Sequence, residues 1–314
     1  MKTSWLFKEP IVTQRKPALS LVAVPGRRKA TLELATEIER RGFTGIYCPS
    51  MADGMALCEA LAFVTETIPF GTSIAPIYTR PPLDYAQNAS FIHEVSGGRF
   101  SFGIGVSHAP SMRRMGKTGG KPLSDTRDFV AAYLDAPRVG ETPPLILAAL
   151  RQKMIALAGE IGNGLVFANG ARSHMKQSLN VLPEGVRKDE NFTIANMIPT
   201  CISDDIEAAK AVNRRTLTSY AMLPNYRNYW KEAGYEAEMT AIEAAIDTGD
   251  NARIPALLSD RWLADTTLFG PVAQIRNGLD AWYDAGIRTP ILVPSSAVGN
   301  QMKAFEEMFA AFED

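Results

Sequence analysis

A closed (β/α)8 barrel is the fold this 314-residue sequence predicts, on three observations. Short apolar runs alternate with helical segments eight times along the chain, the pattern of parallel strands joined by crossover helices. The length suits one barrel of about 250 residues plus insertions. Apolar residues are 46% and charged residues 21%, a balance that supports one large core and excludes a disordered chain. No shift in composition marks a boundary, so residues 1–314 read as a single domain with two irregular insertions, at about 108–123 and 220–267.

The first strand is Ala18 to Val24, ended by Pro25-Gly26. Leu34, Ala35 and Ile38 follow at helical spacing, and Gly42 stops that helix. Gly45 to Cys48 is the second strand, and a helix lies within Leu57 to Ile68. Phe70 to Ile77 is the third strand. It is closed by Thr79-Arg80-Pro81-Pro82, because proline opens a helix but does not sit inside one. That helix runs to about Val95. Ser96-Gly97-Gly98 is turn chemistry, and Phe100 to Val106 is the fourth strand, apolar and glycine-spotted like a strand buried on both faces.

Residues 108–123 carry Arg113, Arg114, Lys117 and Lys121 among glycines and prolines. The stretch is too long for an ordinary βα connection and reads as a binding loop, with plain solvated surface as the alternative. Ser124 and Asp125 cap a helix over Phe129 to Leu134. Leu145 to Ala149 and Gly164 to Ala168 are strands five and six, separated by a helix through Met154, Leu157, Ala158 and Ile161. Asn191 to Cys201 is strand seven, and Ser203-Asp204-Asp205 caps the next helix. The 220–267 insertion is largely helical and holds Tyr226, Tyr229, Trp230 and Trp262. Gly270-Pro271 opens a helix to Ala285, Ile291 to Val293 is strand eight, and the last helix ends at Phe312.

A net charge of −1 provides no basic excess for nucleic acid. Cys48, Cys58 and Cys201 are dispersed, with neither metal spacing nor a disulfide framework, and suit a reducing cytoplasm. Residues 1–16 read as neither a signal peptide nor a membrane span. Three histidines without an HxH or CxxC pattern make a zinc site a poor reading.

Ligands of parallel α/β folds bind beyond the carboxyl ends of the strands. Gly103 and Gly105 leave bare backbone at such an end, where a flat or phosphorylated group can approach. They are not a dinucleotide fingerprint, because His108 stands where its third glycine belongs. Gly116-Lys117-Thr118 mimics the end of a phosphate-binding P-loop, but Ser111 replaces its first glycine and no strand leads into it. His108, just past strand four, is the candidate acid/base, since imidazole titrates near neutrality; a plain loop residue is the alternative. His93 reads as structural or surface, and His174 as a cap or a cofactor contact. Asn169-Gly170-Ala171-Arg172-Ser173 reads as an anion-binding corner, with free helix N–H groups and the Arg172 side chain as donors. An ordinary capped turn is the alternative there. Tyr226, Tyr229 and Trp230 read as helix packing or as a substrate wall.

Thr72-Ser73-Ile74-Ala75-Pro76-Ile77-Tyr78-Thr79-Arg80-Pro81-Pro82, then a helix, then Ser96-Gly97-Gly98-Arg99-Phe100 and Gly103-Ile104-Gly105, resembles the bacterial luciferase-like oxidoreductases. So do Pro144 to Leu150 with Met154, Ala158-Gly159-Glu160-Ile161 and Gly164, and Phe269-Gly270-Pro271 with Ala285-Gly286-Ile287. The similarity runs from Ala18 to near the end of the chain. It implies a barrel that binds coenzyme F420, a deazaflavin, or alternatively FMN, at the carboxyl ends of its strands. The F420-dependent methylenetetrahydromethanopterin reductases are the members it looks most like. Hydride then passes to or from C5 of the deazaflavin, whereas FMN members react with oxygen as monooxygenases.

The resemblance also implies a non-proline cis peptide in strand three, placed here at Ser73-Ile74, with Ile74 pressed towards the back of the ring. The resulting set of cofactor contacts is Ser73, Ile74, Gly105, Val106, Ser107, Ala149, Asn169, Gly170, Ala171 and Arg172. Ser50, Tyr78 and Tyr226 are the substrate candidates, the substrate is a small molecule, and the assembly is a homodimer. The family's sugar-phosphate dehydrogenases carry an acidic residue and a histidine after strand two; Ser50 and Met51 stand there instead, which puts sugar-phosphate oxidation in doubt. His108 falls where they place a glutamate, so an acid/base role can have moved to it. An aldolase- or isomerase-type barrel would need a strand-end lysine or a carboxylate pair, and neither stands out. A non-catalytic flavin-binding barrel is the remaining alternative.

Overall fold

The computed structural model describes residues 15–114, 116 and 120–313. Its strands are β1 (Ala18–Ser20), β2 (Ile46–Cys48), β3 (Phe70–Thr72), β4 (Ala75–Pro76), β5 (Phe100–Gly105), β6 (Leu145–Ala148), β7 (Gly164–Ala168), β8 (Thr193–Ile202), β9 (Leu268–Gly270) and β10 (Thr289–Ser295). Every pairing is parallel, and β10 pairs with both β8 and β1, which closes the sheet. With β3 and β4 as one interrupted stave, the ring has eight, as expected of a (β/α)8 barrel. The extra strand β9 lies outside the ring on the extended end of β8, pairing Leu268 with Thr200 and Gly270 with Ile202.

The interior is narrow and filled by Ala18, Ile146, Val166, Ala195 and Ile291, with Tyr47, Ile74, Ala148 and Met197 packed against them. Alternate residues face outward onto the helices. The helix Arg28–Arg40 shows why these segments are helical: Thr31, Leu34, Ala35 and Ile38 fall on one buried face. Asp53 caps the helix Gly54–Val64 by accepting from Ala56 N at 3.3 Å, and the helix Pro82–Val95 opens on proline. His93 is structural, with Nδ1 3.2 Å from Phe100 O.

Several element boundaries differ from the sequence reading. The β1 ladder is shorter than Ala18 to Val24, because Val24 N turns back onto Val22 O and Arg27 N onto Val24 O. The third strand is broken in two, and the Ser73–Ile74 peptide is cis. Gly71 pairs with Ser101 and Ala75 with Ile104, so four steps along one strand oppose three along the other: a one-residue bulge. The Thr72 hydroxyl bridges this gap, donating to Gly103 O at 2.7 Å and accepting from Gly103 N at 2.9 Å. The helix over Phe129 starts earlier than expected, at Pro122, with Lys121 rather than Ser124 or Asp125 in the cap position. Asp125 instead accepts from the Tyr78 hydroxyl at 2.7 Å. Lys117 lies outside the described residues. Among the described residues no helix is long and apolar enough to cross a membrane.

The 220–267 insertion folds into the helices Pro224–Glu232, Glu236–Asp247, Ile254–Leu257 and Asp260–Thr266. They enclose a second apolar core built on Tyr226, Tyr229, Trp230, Met239, Ile242 and Trp262. The Trp230 and Trp262 rings meet edge to face at 4.7 Å.

Candidate active site

A cavity of about 500 Å³ opens at the carboxyl ends of β2, β4 and β5. It is walled by Ser50 to Met55 after β2, by Ile74 and Pro76 at the bulge, by Thr79 and Arg80 after β4, and by Ser107, Ser111 and Arg114 after β5. The bulge turns Ile74 into the barrel, and Gly105 is the residue that makes room for it. A Cβ on Gly105 would lie 2.8 Å from Ala148 Cβ and 3.0 Å from Ile74 Cγ1. Only bare backbone fits there, beside an isoleucine facing the mouth. Ser107 takes a φ of +60°, which carries the chain sharply off β5 towards His108.

His108 is half-buried against the insertion. Its ring lies 5.6 Å from Tyr226 and 6.0 Å from Tyr220, both edge to face. Burial lowers its pKa from the ordinary 6.5, so the imidazole is neutral at pH 7. A neutral imidazole at a strand end can accept a proton from a substrate or return one.

Of the residues expected at the site, Ser50, Ile74 and Ser107 line this cavity, Ser73, Gly105 and Val106 lie at the same strand ends behind it, Ala149 follows β6, and His108 stands next to Ser107 without lining the cavity itself. Tyr78 does not line it, because its hydroxyl is held by Asp125. Tyr226 is almost fully buried in the insertion core, so it serves as packing that supports His108.

The corner after β7 differs from the expected anion site. Its amides are already bonded: Gly170 N to Asn196 Oδ1 at 3.2 Å, Ala171 N to the Tyr229 hydroxyl at 3.0 Å, and Ser173 N to Asp265 Oδ1 at 2.9 Å. The Ser173 and Tyr235 hydroxyls also donate to Asp265 Oδ2, at 2.7 and 2.8 Å. Asn169, at a φ of +57°, accepts from Trp230 Nε1 through its carbonyl. The chain after it forms only a 3₁₀ turn, Arg172–His174, and the short helix Met175–Leu179. With the Asp265 carboxylate in place, the amides at these three positions are taken up within the chain. Arg172 lines a groove on the outer flank instead. His174 packs its ring 5.7 Å from Tyr229, and burial lowers its pKa as well.

The bulge and Gly105 leave bare backbone at the open end of β5, whereas at the β7 corner the amides of Gly170, Ala171 and Ser173 already have partners within the chain. The signal that sequence reading missed is Asp265, which lies 92 residues from Ser173 within an insertion that has no recognisable pattern.

The profile of the luciferase-like monooxygenase family matches residues 11–138 and 133–289. A 5,10-methylenetetrahydromethanopterin reductase of Methanolobus tindarius is 23% identical over 299 residues, 85% of this chain and 90% of that protein. Among solved structures, an F420-dependent secondary alcohol dehydrogenase in complex with an F420-acetone adduct superposes with a TM-score of 0.71 at 17% identity, covering 95% of this chain and 100% of the other. The FMN complex of the oxygenating constituent of 3,6-diketocamphane monooxygenase from Pseudomonas putida, a type II Baeyer-Villiger monooxygenase, gives 0.61 at 14% identity, covering 94% and 96%.

Proposed function

The chain belongs to the luciferase-like monooxygenase family and is an oxidoreductase of it, and from that premise we propose that it transfers hydride between coenzyme F420 and a small organic substrate in the cavity between β2 and β5. The observation that carries this reading is the Gly105 backbone lying bare beside the inward-facing Ile74. Ile74, Gly105, Val106 and Ala149 would support a planar ring, with Ser73 behind it and Ser107 at its edge. Bound there, a deazaflavin or flavin supplies the hydride-carrying carbon or nitrogen.

The remaining roles fall to the chain's own groups. His108 holds or moves a proton at the exposed side of the ring, where its neutral form accepts one. Ser50 and Ser111 offer hydroxyls to a substrate, and Arg80 is held in the wall by Asp53 at 2.9 Å. The cavity size suits a small molecule, for which roughly 300–1,000 Å³ is usual. Support for F420 over FMN comes from the named reductase and dehydrogenase relatives and from Arg113 and Arg114 beside the mouth, which would attract the acidic tail of the deazaflavin. Titration of the full chain with F420 and with FMN tests the choice. Saturable F420 binding with much weaker FMN binding is expected; the reverse order would assign the chain to flavin-dependent oxygen chemistry.

Two further expectations belong to this reading. Three buried cysteines without disulfides suit a cytoplasmic enzyme. Leu83, Phe91 and Val95 form an exposed apolar line along the helix Pro82–Val95, and the Phe91 ring lies 6.5 Å from that of exposed Phe63 on the neighbouring helix. A second copy of the chain would cover this face. Sedimentation of the wild-type chain as a dimer, and of Phe63→Glu as a monomer, is the expected result.

A further inference from the structure

Arg172 was expected at the mouth, and its place on the outer flank draws attention to a second cavity. This groove, of about 790 Å³, lies on the outer flank of the barrel, between the turn and short helix after β7 and the segments that lead into β8 and β10. Five cations from four segments of the chain line it: Arg15 before β1, Arg172 and Lys176 after β7, Arg187 before β8 and Arg288 before β10. Asp284 is its one acidic lining residue, and among the described residues none of the five cations has a carboxylate within ion-pair distance. Arg40, Arg41, Arg80, Arg127, Arg151, Arg214, Arg227 and Arg261, by contrast, each face a carboxylate. In a chain of net charge −1, this is a local concentration of positive charge and not a general property of the surface.

Three of these groups are held in position. Arg288 donates to the carbonyls of Arg187, Asp189 and Phe192. Arg187 donates to Asn180 Oδ1, and Arg15 lies over the Tyr283 ring at 5.3 Å. The Arg172 and Lys176 side chains donate no hydrogen bond to the described residues. Fixed like charges around one groove repel each other, and a bound polyanion removes that repulsion while gaining charge-assisted hydrogen bonds.

We propose that this groove is an anion-binding site for a small phosphate-bearing ligand of charge two or more, separate from the mouth. Its size is that of a small-molecule site, too confined for the long contact track that a nucleic acid requires. The proposal stands independently of the redox reading, because it uses no residue of the mouth.

Inorganic pyrophosphate is the probe. Calorimetric titration of the cofactor-free full chain at low ionic strength should give saturable binding to one site, weakening as salt is raised. Arg172→Ala and Lys176→Ala should each weaken it at least fivefold, and Lys176→Glu at least twentyfold, with melting temperatures unchanged since both side chains are on the surface. Arg114→Gln, in the mouth, should leave it unaltered. The proposal is overturned if pyrophosphate does not saturate, if the Arg172 and Lys176 variants bind as the wild type does, or if Arg114→Gln is the variant that loses binding. Binding of a duplex oligonucleotide in preference to pyrophosphate would also overturn it.

Discussion

The ends of β5 and β7 both carry a glycine beside a residue of positive φ: Gly105 near Ser107, and Gly170 next to Asn169. Their surroundings differ. At β5, Ile74 from the neighbouring bulge fills the space a side chain would need, and the ground beyond Ser107 stays open as a cavity. At β7, the insertion folds over the strand end, and Asn196, Tyr229 and Asp265 take up the amides. A glycine at a strand end therefore marks where a ligand can approach only if no other part of the chain gets there first. Whether that happens is decided by tertiary contacts of long sequence separation.

The contrast can be broken most severely at β5. Gly105→Val puts a branched side chain where even a Cβ meets Ala148 and Ile74, and overpacking of this kind costs about 1–3 kcal/mol of stability. Affinity for the F420 or FMN ring should fall more than 100-fold, a loss of about 2.7 kcal/mol by titration. At β7 the largest effect should be on stability alone. Asp265→Ala leaves the buried Tyr235 hydroxyl without its acceptor, and with it the part-buried Ser173 N and Ser173 hydroxyl. Denaturant unfolding should register a loss of about 2–4 kcal/mol, with ring affinity changed less than twofold in the folded protein. A large loss of ring affinity would instead tie the corner to the cofactor.

How much of this was legible follows from the same two places. The eight-stave barrel could be read because alternation of apolar strands and amphipathic helices is a local, periodic signal, as in the Thr31, Leu34, Ala35, Ile38 face. The bare backbone at Gly105 was legible because strand and cavity adjoin in sequence there. The sealed corner was not, since Asp265 and Tyr229 reach it from an insertion without periodic pattern, and nothing at Asn169–Ser173 itself distinguishes a free amide from a bonded one. The place of Tyr78 is hidden for the same reason, since its partner Asp125 lies 47 residues away and reads in sequence as a helix cap.

Smaller effects sharpen the contrast within the mouth. His108→Asn should leave ring affinity intact and slow turnover at least tenfold, about 1.4 kcal/mol, if the imidazole moves a proton. Near-wild-type turnover would reduce His108 to packing against Tyr220 and Tyr226. Burial also predicts a pH dependence. The folded chain resists protonating His108 and His174, whose pKa values burial lowers, whereas the unfolded chain takes up protons near 6.5. Their contribution to stability is complete above 6.5 and is lost as the pH falls from there through the lower folded values. Melting temperatures recorded from pH 7.5 to 5.5 should decline, and His108→Asn should flatten part of that decline.

Hydrogen–deuterium exchange of the full chain with and without saturating F420 compares the two strand ends in one experiment. Slower exchange is expected over residues 74–76 and 105–108, with none added at 169–173, where Gly170, Ala171 and Ser173 are already bonded. New protection at 169–173 with residues 74–76 and 105–108 unchanged would contradict the placement of the ring at the open end of β5.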